Sequence, residues 1–231
     1  MVKKQKLVVI GNGMAGARVV EEILARDAHR QFEITMFGDE PTGNYNRILL
    51  SNVLNGSYKE DDIYLNPLSW YEQNHITLHS GMKAAGLLRR AKLVYGEDGN
   101  PEPYDKLIIA TGSRPFIPTM EGTTISDGSF KPGVFVFRTL ADCRDIAEYA
   151  KGKKTAAVIG GGLLGLEAAR GLQNFGLEVT VIHLASHLMQ QQLDAGAGTI
   201  LKSSVEALGM KVLLQKSTKA ILGPDRVLGL R

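Results

Sequence analysis

The sequence predicts an α/β fold with parallel sheets, in which one supersecondary unit occurs twice. Three observations lead there. Short continuous apolar runs, as strands buried on both faces require, alternate with stretches of helical spacing. Two of these runs lead straight into glycine clusters, Gly11-Asn12-Gly13-Met14-Ala15-Gly16 and Gly160-Gly161-Gly162-Leu163-Leu164-Gly165. A helix and a further strand follow each cluster, the order that builds a parallel sheet.

The elements read in order. Residues 6–10 (KLVVI) are a buried strand. Residues 14–27 are a helix with Val19, Val20, Ile23 and Leu24 turned inward, and 32–37 (FEITMF) the next strand. Residues 38–62 are loop-rich, with a short apolar turn at Ile48–Leu54. Pro67 opens a helix over 67–74, since its fixed φ suits a first turn. Short strands broken by Gly81 and Gly86 fill 76–95, and 104–110 (YDKLIIA) is another buried strand. The segment 118–133, rich in Gly, Pro, Ser and Thr, reads as a linker or domain crossover. A helix over 139–150 precedes the repeat: strand 155–159, helix 163–175, strand 178–182. A helix over 194–208, capped by Asp194, and short strands at 211–214, 218–222 and 226–230 complete the chain.

Composition bounds the function classes. The 231 residues, 44% hydrophobic and 22% charged, suit a soluble globular protein of one large or two small domains. A net charge of +3 is too slight to argue for nucleic acid, and Lys3, Lys4, Lys6 and Lys151, Lys153, Lys154 read as solvated clusters ahead of strands. Cys143, the sole cysteine, can form no internal disulfide and cannot alone hold a zinc or iron–sulfur centre, so a reducing cytoplasm is expected. The apolar run Leu7–Ile10 is too short for a signal peptide, and no stretch approaches the ~20 apolar residues that span a bilayer; no membrane association is expected.

Each glycine of the first cluster has a role in holding a dinucleotide. Gly11 permits the tight turn out of the strand, Gly13 lets a pyrophosphate approach the backbone, and Gly16 lets the helix pack close to the sheet. The helix start, with Met14 and Ala15, offers free N–H groups and a positive dipole end to phosphate. An acid should follow the second strand to bind ribose; Asp39 and Glu40 both stand there, with Glu40 favoured. In the second cluster Gly160, Gly162, Leu163, Leu164 and Gly165 repeat the pattern. Glycine at its third position leans towards NAD(H) over NADP(H). Neither acid nor arginine follows the second strand; His183 stands in that place, where a neutral imidazole could bond a ribose hydroxyl or serve only as a loop residue.

Two such units with LIIATGSRP between them resemble the two-dinucleotide flavoprotein reductases. Tyr45-Asn46-Arg47-Ile48-Leu49-Leu50-Ser51, Phe137-Arg138-Thr139-Leu140, the run Val158 to Leu172, and Leu188-Met189 with Gln192-Leu193-Asp194 are similar to the large subunit of NADH-dependent nitrite reductases, over nearly the whole chain. The resemblance implies two Rossmann-like units, with FAD in residues 1–118 and NAD(H) in 119–231. It puts Arg47 by the flavin or its pyrophosphate, Thr111, Gly112 and Arg114 along the FAD site, and Glu167 near the nicotinamide. Hydride transfer between the cofactors needs no catalytic side chain and no metal in this chain. Alternatives are a stand-alone rubredoxin or ferredoxin reductase or NADH oxidase, and a non-catalytic nucleotide-binding module.

Departures from the pattern carry expectations too. Asn52 stands where ferredoxin-reductase relatives have a lysine, and Lys83-Ala84-Ala85-Gly86-Leu87 is poorer in β-branched residues than the family's adenine-side segment. In the family a Gly-Asp segment after the NAD domain completes the flavin domain, and cysteine-rich modules carry sirohaem and iron–sulfur clusters. Neither occurs before Arg231, so a piece truncated at its C-terminus is expected. Apolar surface left open there should favour a homo-oligomer. NADH and, in the nitrite reductase reading, the enzyme's small subunit are the expected partners.

Overall fold

The structure, a computed structural model, describes residues 3–26 and 31–231; the last residue of the helix expected over 14–27 lies outside the described residues. The chain divides into two compact units, residues 1–47 with 61–114, and residues 48–60 with 115–231.

In the first unit β1 (Gln5–Ile10) runs through the glycine turn into α1 (Met14–Ala25) and back as β2 (Phe32–Gly38). A two-stranded antiparallel pair follows, β3 (Asn44–Tyr45) and β4 (Tyr64–Asn66); between them in sequence comes α2 (Leu50–Leu54), which belongs to the other unit. Next come α3 (Leu68–Gln73), β5 (Thr77–Ser80), the antiparallel strands β6 (Ala84–Leu88), β7 (Leu93–Gly96) and β8 (Pro101–Pro103), and β9 (Lys106–Ile109). The main sheet is parallel, in the order β5-β2-β1-β9.

The central strand explains why the sequence there is apolar without alternation. Side chains alternate between faces. Leu7 and Val9 pack on one face with Val20, Ile34, Met36, Tyr71 and Ile76. Val8 packs on the other with Phe37 and with Val94 of the antiparallel sheet. With both faces covered, each buried aliphatic contributes about 1.5–3 kcal/mol over an exposed one. Val20 is buried, while Ile23 and Leu24 are partly buried against the same cluster. Pro67 is the N-cap of α3 rather than its first helical residue, in extended backbone at φ −66° and ψ 163°.

The second unit holds α2, α4 (Leu140–Ala150), β10 (Thr155–Ile159), α5 (Leu163–Asn174), β11 (Glu178–Ile182), α6 (Ala195–Ala207), β12 (Lys211–Leu213), β13 (Ile221–Leu222) and β14 (Gly229–Leu230). Its sheet is parallel, β10-β11-β12, over a core of Ala169, Val179, Val181, Leu188, Val205 and Val212. A capping box starts α4: Asp142 N–H donates to Thr139 Oγ1 at 3.1 Å and Thr139 N–H to Asp142 Oδ2 at 2.8 Å. Asp194 caps α6 as expected, accepting from Ala197 N–H at 2.8 Å. The final strands are two-residue antiparallel partners, shorter than the runs the sequence suggested.

Two segments differ from the sequence reading. Ile48–Leu54, expected as an apolar turn, contains the helix α2, with Leu50 and Leu54 buried one turn apart. A Cβ on Gly171 of α5 would lie 2.8 Å from Leu54 Cγ, so a glycine there is what lets Leu54 seat. The segment 118–133, expected as a linker or domain crossover, packs within the second unit. Glu121 bridges to Ala220, and buried Lys131 donates through Nζ to Ile221 O at 3.2 Å and Gly223 O at 2.7 Å. Those carbonyls solvate the ammonium where water cannot. Among the described residues no helix is long and apolar enough to cross a membrane.

Cys143 lies on the buried face of α4, 3% exposed, and burial, aided by the negative charges of Asp142 and Glu60, pushes its thiol up to about 12. Reaction needs thiolate and access, and the residue has neither. The native protein should therefore leave Cys143 untouched by a chromogenic disulfide reagent at pH 8, and unfolding in guanidinium should release one thiol per chain. Rapid titration of the native thiol would contradict the packing of α4.

Candidate functional site

Both glycine turns sit at the C-terminal ends of parallel strands, where helix N-termini meet the sheet. In the first, Gly11 has φ +114°, and a Cβ on it would meet Ala110 O at 2.2 Å. A Cβ on Gly16 would lie 2.0 Å from Gly11 O. These two positions exclude any side chain because backbone already fills the space. Gly13 is the opposite case: nothing lies within 4 Å of its Cβ position, and α1 starts there with no side-chain cap. An uncapped helix start facing open space suits an anion.

The second turn repeats this arrangement except at its first glycine, where a Cβ would meet nothing within 4 Å. Gly160 has φ +123°, a Cβ on Gly165 would lie 2.0 Å from Gly160 O, and Gly162 has open space and no side-chain cap at the start of α5. Met14, Leu163 and Leu164 are exposed at 37%, 54% and 53%, and Ala15 is exposed beside Met14. Both turns therefore fit a dinucleotide pyrophosphate: close packing where the fold needs it, free backbone where phosphate would lie.

Around the first turn the structure gathers most of the expected residues. Register between β1 and β9 brings Ala110 N–H to Ile10 O at 2.7 Å, so Thr111, Gly112 and Arg114 leave the sheet beside the turn, all exposed. Glu40, just past β2, accepts from Tyr45 Oη at 2.7 Å and pairs with Arg47 at 2.6 Å; Arg47 also lies 5.3 Å from the Tyr45 ring centroid. Glu40 and Arg47 thus form one fixed, partly buried constellation, while Asp39 is exposed. A hydrogen-bonded brace that the sequence did not reveal lies behind the turn. Tyr71 Oη donates to Asn12 Oδ1 at 2.6 Å, and Asn44 Nδ2 donates to Asn12 O at 3.2 Å. Burial is the main reason the Tyr71 phenol is pushed up to about 12. The only signal for this brace was a polar residue between the two glycines.

Around the second turn His183 does not offer a free nitrogen. It is 6% exposed; Nδ1 accepts from Gly161 N–H at 3.0 Å and Nε2 lies 2.8 Å from Gln190 Oε1. A ribose hydroxyl at this imidazole would have to displace one of these bonds. The Glu167 side chain, in the second turn of α5, makes no hydrogen bond among the described residues, and partial burial raises its carboxyl above the usual carboxylate value. Among the described residues no cluster of three or more His, Cys, Asp or Glu side chains could hold a metal ion.

The two kinds of glycine make a sharp contrast for mutagenesis. Gly13→Ala and Gly162→Ala should unfold in urea within about 1 kcal/mol of the parent, since their Cβ meets nothing. Gly16→Ala and Gly165→Ala should lose about 2 kcal/mol or more, because a carbonyl must move. Equal losses in all four would refute the packing described. For Glu167, a folded-state carboxyl raised by burial binds protons more readily than the unfolded one, so its destabilising effect grows as pH rises above the usual carboxylate range. Glu167→Gln should therefore raise the Tm at pH 8, and the gain should shrink towards pH 4; a pH-independent difference would contradict the burial effect.

Comparison with known proteins agrees with this geometry. A family model described as pyridine nucleotide-disulphide oxidoreductase matches residues 5–230. The NAD(P)H nitrite reductase of Bacillus subtilis strain 168 is 50% identical over 228 residues, 99% of this chain and 28% of its own length. The assimilatory nitrate reductase electron transfer subunit of the same organism is 46% identical over 224 residues, 97% of this chain and 28% of its own. Among solved structures, NADH:rubredoxin oxidoreductase from Clostridium acetobutylicum superposes with a TM-score of 0.80 at 27% identity, covering 93% of this chain and 54% of that one. The chain thus spans 28% of the length of those two curated relatives. With two intact glycine turns and a family match along nearly its whole length, the chain belongs to the pyridine nucleotide-disulphide oxidoreductase family.

Proposed function

We propose that this chain is the electron-input part of an NADH-dependent nitrite reductase large subunit, with FAD at the first turn (residues 1–118) and NADH at the second (119–231). The single observation that carries this is the pair of turns in one chain. Each has its first glycine at positive φ, its last glycine closed by a backbone carbonyl and its middle glycine open. Identity of 50% to a nitrite reductase supports the choice of enzyme within the family.

When bound, the two cofactors supply the redox chemistry, a hydride passing from the nicotinamide to the flavin. The residues of this chain bind and orient. Gly13, Met14, Ala15 and Gly16 offer backbone to the flavin pyrophosphate, and Glu40, already fixed by Tyr45 and Arg47, takes the ribose hydroxyls. Arg47 supplies positive charge beside it, and Thr111, Gly112 and Arg114 line the same edge. Gly162, Leu163, Leu164 and Gly165 offer backbone to the NADH pyrophosphate, and Glu167 lies on the nicotinamide side. No side chain needs to move a proton for hydride transfer. In the whole enzyme, sirohaem and iron–sulfur clusters outside this chain would take single electrons and reduce nitrite to ammonia, with the small subunit as a partner. Homo-oligomerisation and a cytoplasmic location belong to the same reading.

A second reading, a stand-alone flavin reductase or NADH oxidase, draws on the likeness to the rubredoxin oxidoreductase. Anaerobic titration of the flavin-loaded protein with NADH tests what the two share. The visible flavin band should bleach with one equivalent of NADH, and an unchanged band would refute both. Nitrite-dependent NADH oxidation by the native enzyme separates them: it is expected here, and its absence in an active enzyme would favour the stand-alone reductase.

A further inference from the structure

The two turns occupy equivalent places in their units, and their backbones register alike. Gly11 N–H donates to Phe37 O at 2.9 Å, and Gly160 N–H to Ile182 O at 2.9 Å. Asn12 and Gly161 are therefore equivalent turn residues, and Gly38 and His183 equivalent strand-end residues. The side chains are exchanged between these positions. In the first unit the turn carries the side chain, Asn12, and the strand ends in glycine; a Cβ on Gly38 would lie 2.8 Å from Asn12 Cβ. In the second unit the turn carries glycine and the strand end carries the side chain. A Cβ on Gly161 would lie 2.9 Å from His183 Cγ and 2.5 Å from Leu188 Cδ2. One volume behind each turn is filled, from opposite sides.

Both side chains also brace what they touch. Asn12 accepts from Tyr71 Oη at 2.6 Å and reaches Thr42 O at 3.4 Å. His183 accepts Gly161 N–H through Nδ1 at 3.0 Å. A backbone N–H can only donate, so Nδ1 carries the lone pair, and in the neutral ring Nε2 carries the proton and donates to Gln190 Oε1. Met189 N–H donates to Gly161 O at 2.9 Å, so the 183–190 segment holds the Gly161 residue by both its N–H and its C=O.

We propose that His183 is a positioning residue for the second turn. From the strand end it does what Asn12 does from within the first turn: it fixes the backbone so that the open face at Gly162 is set before a nucleotide arrives. A preset turn loses less conformational freedom on binding, which appears as affinity. The inference rests on the reading that this turn binds NADH.

The test measures NADH affinity, flavin content, and KM and kcat for flavin reduction in the full protein. His183→Asn keeps an acceptor near the Nδ1 position and should bind NADH within about threefold of the parent. His183→Leu fills the volume without an acceptor and should weaken NADH about tenfold, the loss of one hydrogen bond. That loss should appear in KM, with kcat and flavin content held. The exchanged pair Gly161→Asn with His183→Gly should bind better than either single variant, since the side chain is then restored from the turn. Equal affinity of His183→Leu and the parent, or of His183→Leu and His183→Asn where both are weak, would overturn the assignment. A parent protein that binds no NADH would instead overturn the functional reading beneath it.

Discussion

Everything in this structure depends on the close approach of backbone to backbone inside the glycine turns. The carbonyl of Gly11 lies where Gly16 would carry a Cβ, and the carbonyl of Gly160 lies likewise against Gly165. That contact brings the first turn of the helix down onto the end of the strand. It fixes where the helix axis starts and therefore which helix residues can reach the sheet: Ala17 and Val20 in one unit, Ala168 and Ala169 in the other. It also leaves the middle glycine facing outward with uncapped N–H groups behind it. Packing and binding are thus two faces of one constraint.

The two units meet that constraint with different surroundings. The first covers its parallel sheet with α1 on one face and an antiparallel sheet on the other, so its central strand is buried at Leu7, Val8 and Val9. Behind its turn runs a polar chain, Tyr71 to Asn12 to Asn44, in which Asn44 Oδ1 and the nearby Thr42 Oγ1 are buried without a partner among the described residues. Such orphaned acceptors cost stability, and the brace they belong to holds the backbone around the turn. The second unit uses apolar packing, with Leu188 fully buried beneath Gly161, and a single imidazole bridge. The same backbone geometry is reached by two chemistries.

How far the sequence revealed this depends on range. The strands, helices and glycine turns were legible because their causes are local: apolar runs, helical spacing, and φ values open only to glycine at Gly11 and Gly160. The cap at Asp194 was legible for the same reason, whereas the capping box at Thr139 appears only in the structure. The features that escaped depend on distant partners. The helix α2 has only five residues, too few for periodicity to register, and it is buried through contacts such as Leu54 against Gly171, far along the chain. The composition of 118–133 suggested a linker, and only the carbonyls of Ile221 and Gly223 explain why Lys131 is buried there. His183 was legible as an anomaly at the strand end, but its direction was set by Gly161, whose lack of a side chain left it room.

The surroundings of the turns also bear on how one fold would sort two dinucleotides. The glycine turns themselves carry no charged side chain; their attraction for phosphate is that of backbone N–H groups and helix dipoles, and it is alike in both units. Discrimination must come from the residues just past the second strand of each. In the first unit that place holds an ionised constellation, Glu40 braced by Tyr45 and Arg47, which presents a fixed acceptor with a guanidinium beside it. In the second it holds a buried imidazole whose nitrogens are both engaged within the unit, followed by the exposed Leu184. A carboxylate there would repel the extra phosphate of NADPH, and an arginine would attract it. His183 does neither, so in the proposed function charge at this strand end neither attracts nor repels the extra phosphate of NADPH.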